Sequence, residues 1–247
     1  MEVIMKSKIF FFAVACFNFF FISNSIAKTP TMDWMVNTEA PLHEITFGLK
    51  INNAPAKPGF YYAFQFGFTG NGGIGYTGIQ PKDNDKNGNR QFMVLFSSFR
   101  KDSMPKHDNC HGGADGSPNG VTCSRYIPGE LGDTFRFHVI KDGEMMTGYV
   151  LNETSGRKDV IGKWTVSDDA GSLGKKHIAF IENYLMGELS CDNKGWPYYE
   201  VKFLPPTGND LNFNGTISTL SNGSTVCPGA VTWEHDKLGT LVMGGYK

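Results

Sequence analysis

Phe60, Tyr62, Phe64, Phe66 and Phe68 recur at every second position, the spacing that puts side chains on one face of a β-strand. A glycine-rich connector, Thr69 to Gly73, leads into Ile74-Gly75-Tyr76-Thr77-Gly78-Ile79-Gln80. A polar tip, Pro81 to Asn89, then leads into Arg90 to Phe96. Aromatic and β-branched runs divided by Gly, Asn and Asp predict an antiparallel meander. The same alternation marks His43 to Ile51 ahead of it. Behind it come Asp133 to Ile140, Met145 to Leu151, Val160 to Val166, His177 to Leu185 and Tyr198 to Leu204. Asp142-Gly143 supplies the positive φ of a tight hairpin turn, and Pro205-Pro206 is expected to stop the strand before it. Shorter runs at Thr216 to Leu220, Val231 to Trp233 and Leu241 to Met243 close the chain. About ten to twelve short strands with turns between them predict an all-β antiparallel sandwich or jelly roll. Lys28 to Asn37 shows no period and is expected to be a mobile lead-in. Arg100 to Pro128 is expected to be a long irregular loop, a place to look for function.

The N-terminus changes the compartment. Lys6 and Lys8 precede an uncharged apolar run from Ile9 to Ile22, and Ser25-Ile26-Ala27 has the small-x-small form of a signal-peptidase site. Residues 1–27 are therefore expected to be a signal peptide and 28–247 a single secreted domain, extracellular or, in a Gram-negative source, periplasmic. The apolar run is too short for a comfortable span, so no stable membrane insertion is expected. A formal charge of −1 with both signs interspersed leaves no electrostatic footprint for nucleic acid. Cys16 leaves with the signal. Cys110, Cys123, Cys191 and Cys227 remain, and an oxidising compartment makes them two disulfides with three possible connectivities. Cys110–Cys123 and Cys191–Cys227 are favoured, since each pair brackets a polar, Gly-containing region. Closing the first loop contributes roughly 3 kcal/mol in the chain-entropy model.

Four groups of residues carry candidate chemistry. Asp83-x-Asp85-x-Asn87-Gly88 opens like a calcium loop, but position twelve is Val94, and a solvated hairpin tip is the competing reading. His107 and His111 have the spacing of a metal pair, yet no helix is expected there and Cys110 is better used as a disulfide. Glu182 shares parity with Phe180 and Tyr184. A carboxyl among aromatics is suited to acid catalysis, and a glycosidase would need a second one, for which Glu188 and Glu200 are candidates. Trp164, Trp196, Tyr198, Tyr199 and Trp233 are the aromatics with a claim to a sugar-stacking platform, against core packing as the default.

The run Tyr76-Thr77-Gly78-Ile79-Gln80 resembles the strand opening a family of exported, mainly bacterial proteins of unknown function. The likeness continues through Phe92 to Phe96, Gly112 to Gly120, Thr134 to Phe137, Trp164 and Phe180-Ile181-Glu182, covering roughly Tyr62 to Phe203. It implies a lectin-type (concanavalin-like) jelly roll and a place beside carbohydrate-active modules, with no catalytic set to carry over. The cysteine-bearing segment departs from that pattern.

The leading expectation is a secreted, non-catalytic recognition protein for a carbohydrate or another extracellular surface ligand. It would have no cofactor apart from calcium at Asp83, Asp85 and Asn87. The alternatives are a glycan-cleaving enzyme using Glu182 and an exported effector or toxin that binds a host or competitor protein.

Overall fold

The computed structural model describes residues 30–71, 73–185, 190–221, 227 and 230–247. The expected signal segment and Glu188 lie outside them. In chain order the strands begin with β1 (Thr31–Val36), β2 (Glu44–Asn53), β3 (Phe60–Gly67), β4 (Ile74–Pro81), β5 (Gln91–Ser98) and β6 (Met104–Pro105). Next are β7 (Cys110–Ala114), β8 (Ser117–Pro128), β9 (Thr134–Asp142), β10 (Met145–Asn152) and β11 (Arg157–Thr165). The last are β12 (Lys176–Asn183), β13 (Tyr199–Gly208), β14 (Phe213–Ser221), β15 (Val231–Asp236) and β16 (Gly239–Gly244). The expected all-β, antiparallel architecture is what forms. Among the described residues no helix is long and apolar enough to cross a membrane.

Two layers face each other. The first runs β14-β1-β12-β3-β4-β5-β8-β7, and the second runs β6-β11-β10-β9-β2-β13-β16-β15. They meet where β14 leaves its pairing with β1 and bridges briefly to β13 at Thr207–Asn214 and Gly208–Phe213. Period two explains the layers. Phe60, Tyr62, Phe64 and Phe66 are all buried on the inner face of β3, where they meet aromatic rings of the second layer. Phe64 stacks on Phe47 at 4.7 Å and meets Phe203 edge-on at 5.4 Å. Phe66 and Phe96 pack on Trp164, and Phe92 packs on Phe135. Each buried ring contributes about 1.5–3 kcal/mol of transfer free energy, with about 0.5–1.5 kcal/mol more for a well-placed aromatic pair. Small residues make room: a Cβ on Gly148 would lie 2.5 Å from the Phe96 ring.

Both disulfides form with the favoured pairing, Cys110–Cys123 and Cys191–Cys227. The first joins directly opposed residues of β7 and β8. It packs so closely on β11 that a Cβ at Gly162 would meet both sulfurs at 2.5 Å.

Three local expectations are corrected. Thr31–Val36 is a strand rather than a lead-in: Met32, Trp34 and Val36 alternate into the core, and β1 is held between β12 and β14. Arg100 to Pro128 is largely strand. The turn at Asp115-Gly116 has both residues at positive φ, 49° and 75°, whereas in the Asp142-Gly143 hairpin Asp142 stays in the strand opposite Met145 and only Gly143 is at positive φ. Pro205-Pro206 does not end β13, because a register shift between Leu204 and Thr207 carries the pair as a bulge.

Replacing Phe64 with Ala should cost about 3–5 kcal/mol, read as a lower denaturation midpoint at unchanged m. A loss below about 1 kcal/mol would contradict the central place given to this ring.

Candidate functional site

Committing one face of β3 to the core sends its alternate residues, Tyr61, Ala63 and Gln65, to the outer face of the first layer. β12 pairs beside it with Glu182 opposite Tyr61 and Phe180 opposite Ala63. On the far side β4 sets Gly78 opposite Ala63 and Tyr76 opposite Gln65. Ala63 and Gly78, both buried, are therefore the floor of a shallow trough that the aromatic rings above them fill. Phe180 meets Tyr76 at 5.1 Å and Tyr61 at 6.1 Å, both edge-on. Gly78 must stay small, since a Cβ there would come within 2.3 Å of the Tyr62 carbonyl and 2.9 Å of the Tyr61 ring.

Glu182 is half-buried beside these rings. Burial pushes its carboxyl above the usual carboxylate range, and the negative charge of Asp115 adds to that. Among the described residues no side chain donates a hydrogen bond to it or pairs with its charge. Lys82 gives its protons to Gln80 at 2.7 Å and to the Tyr184 hydroxyl at 3.1 Å instead. Glu44 on the second layer shows the contrast. It is more deeply buried by surface exposure, yet its carboxyl is lowered, chiefly because His138 Nδ1 lies 2.8 Å away, with Thr46 also bonded. Partners stabilise the ion at Glu44. At Glu182 they are missing, and burial decides the sign.

Asp115 reaches this site from the other end of the layer. β8 is separated from β12 by β5, β4 and β3, about 19 Å at the usual strand spacing. Even so, the charge of Asp115 acts on Tyr61, Tyr76 and Glu182 alike. The tip of the β7–β8 hairpin therefore lies within electrostatic reach of these groups. Gly120 (φ 86°) and the irregular register at Gly112–Ala114, with Gly113 at φ 93°, depart from a flat ladder in this hairpin. The Tyr61 hydroxyl, buried with no partner among the described residues, belongs to the same group. In sequence Asp115 groups with His107, Asp108, Cys110 and His111 as a possible metal cluster, whereas in the fold its charge acts on Glu182 and the two tyrosines.

The other expected site residues fall elsewhere. Trp164, Trp196 and Tyr199 are 0–2% exposed and fill the core, so they cannot offer a face to a sugar. Tyr198 bonds through its hydroxyl to Glu200 at 3.0 Å and lies under Lys247. Glu200 also accepts from Asn52, so it is no free second carboxyl. Trp233 is exposed at 41%, on β15 at the edge of the second layer. Asp85 caps its own turn, accepting the amide protons of Asn87 and Asn89 and the Asn89 side chain, while Asp83 and Asn87 point to solvent. His107 accepts the Asn109 amide. Among the described residues no three His, Cys, Asp or Glu gather as a metal site.

No family model and no characterised sequence matches the chain. Among solved structures it is similar to scytalido-glutamic peptidase with a transition state analog inhibitor, at 10% identity and TM-score 0.49, covering 89% of this chain and 98% of that one. It is also similar to SCP-B, a member of the eqolisin family of peptidases in complex with the tripeptide Ala-Ile-His, at 11% identity and TM-score 0.44, covering 88% and 98%. A third is the bacteriophage CBA120 tailspike protein 2 enzymatically active domain, at 13% identity and TM-score 0.34, covering 70% of this chain and 23% of that one. At these scores nothing of their reactions is carried over. The expectation of a non-catalytic recognition protein is corrected on the residues themselves: Trp164, Trp196 and Tyr199, three of the rings on which it stood, are core.

Proposed function

We propose that this protein is an exported hydrolase that cleaves an extended polymer, with the Glu182 carboxyl as the group that gives and takes the proton. The observation that carries the proposal is a half-buried carboxyl raised by desolvation and left without a partner in an aromatic trough. A structural carboxylate of this burial ordinarily acquires donors, as Glu44 does. One that lacks them suits proton transfer near its own raised pKa. The two disulfides fit an oxidising compartment.

A peptide bond is the favoured target. Acyl hydrolysis passes through an oxyanion that needs hydrogen-bond donors, and Tyr76 beside Phe180 keeps its phenolic proton because burial raises its pKa. In this reading protonated Glu182 donates to the leaving nitrogen, and its carboxylate form deprotonates the attacking water. A glycosidic bond is the second reading. It is favoured by Asp115, whose charge acts on Glu182, since such cleavage uses two carboxyls.

An assay of the mature chain against an unfolded protein and a panel of polysaccharides, from pH 3 to pH 7, tests both readings. Glu182→Gln should lower turnover by at least about 100-fold. Wild-type turnover with an equally active Gln variant would refute the assignment. The limb of the rate profile that reports Glu182 as acid should fall with rising pH. In Asp115→Asn that limb should move to lower pH, since a like charge is removed; Asn also tolerates the left-handed backbone at this turn.

Stability carries a separate signature. A carboxyl raised in the fold contributes most below its unfolded pKa and loses that contribution as pH rises through the folded one. Glu182→Gln should therefore gain stability on the wild type between about pH 4 and pH 7. A denaturation series showing the variant losing ground over that range would mean that the ionised carboxylate has a partner.

A further inference from the structure

Four residues along β12 from Glu182, on the same face and beyond the Phe180 ring, lies a cavity of about 500 Å³ lined by Asp33, Met35, Gln65, Lys176 and Ile178, with Trp34 and His177 also in its wall. Asp33 stands opposite Ile178 across β1 and β12, and Met35 opposite Lys176. Gln65 lies on β3 directly across from Tyr76. Asp33 and Lys176 are exposed and Gln65 half-exposed. None of the three side chains has a hydrogen-bonding or ionic partner among the described residues, although opposite charges so placed on neighbouring strands could pair. His177 does not add charge here. Burial pushes its pKa down to about 4, and its Nε2 accepts the Gly67 amide. The cavity thus presents one acidic side chain, one basic side chain and one amide, none engaged by another side chain of the described residues, beside Met35 and Ile178.

We infer that this cavity is a second anchoring subsite, which holds the backbone amide of a polypeptide substrate about four residues from the bond cleaved at Glu182. The inference rests on the hydrolase reading above. Four residues of strand rise are about 13 Å, and an extended peptide advances about 3.3–3.6 Å per residue, so the two sites are in register with one substrate chain. Gln65 matches a peptide group with one donor and one acceptor. Asp33 and Lys176 flank it and select for polar side chains on that segment. Binding energy gained here, remote from the reacting atoms, is available for orienting the scissile bond.

The test uses synthetic peptides extended one residue at a time on either side of a single cleavable bond, with wild type and Gln65→Ala. The subsite predicts a rise of about tenfold in kcat/KM, equivalent to about 1.4 kcal/mol, when the chain reaches four residues on one side only. Gln65→Ala should lose most of that rise. A rate indifferent to length, or a Gln65→Ala loss equal on short and long peptides, would overturn the subsite and leave Glu182 in place. Fluorescence anisotropy of the longest peptide on Glu182→Gln separates the two claims. Gln65-dependent binding without wild-type turnover at any length would uphold the anchoring site and overturn the hydrolase reading. No binding and no turnover would overturn both.

Discussion

The aromatic stack between the two layers decides where everything else can be. Phe64, pressed between Phe47 and Phe203, fixes the register of β3. A slip by one residue would turn Tyr61, Ala63 and Gln65 into the core and the phenylalanines out to water. The same constraint aims Glu182 outward, because its neighbours Ile181 and Asn183 are buried. A carboxyl at that position is thus placed by packing on the opposite face of its own sheet. Rigid placement of this kind is what a proton-transfer group needs, since reactivity depends on holding a geometry.

Electrostatics then separates Glu182 from most acids of the chain; Asp210 is also raised, but chiefly by its hydrogen bond to Glu44 rather than by burial. Asp102 is held well below the ordinary range, first by the Arg100 guanidinium. Glu44 is lowered by His138. Asp85 and Asp192 are lowered by local donors at their own turns. These are carboxylates whose ionised form the fold stabilises. Glu182 lies on the opposite side of the balance, with desolvation first and a like charge second. A fold that leaves one carboxyl uncompensated gives up stability there, a common property of functional sites.

Much of this was legible in the chain. The alternation from Phe60 to Phe68 predicted β3, both cysteine pairings followed from what the cysteines bracket, and the parity of Glu182 with Phe180 already placed a carboxyl among rings. The errors share a cause. In Thr31–Val36 the alternation of Met32, Trp34 and Val36 is hidden by Pro30 and the neighbouring polar residues, which mask so short a run. For Trp164, Trp196 and Tyr199 the sequence leaves a sugar platform open beside the default of core packing, since an aromatic residue looks the same in sequence whether its ring turns in or out. Only the second layer packing against them settles which. Asp115 lies more than sixty positions from Glu182, and nothing local announces that the hairpin tip will come within reach of its charge.

The most direct test is the titration of Glu182 itself, followed through the ¹³C shift of its side-chain carboxyl in the intact protein. The account predicts a midpoint above that of an ordinary glutamate, falling when Asp115 is changed to Asn. A midpoint at or below the ordinary value, unmoved by that change, would mean that Glu182 is a satisfied or solvated carboxylate. The trough would then have no acid at its centre.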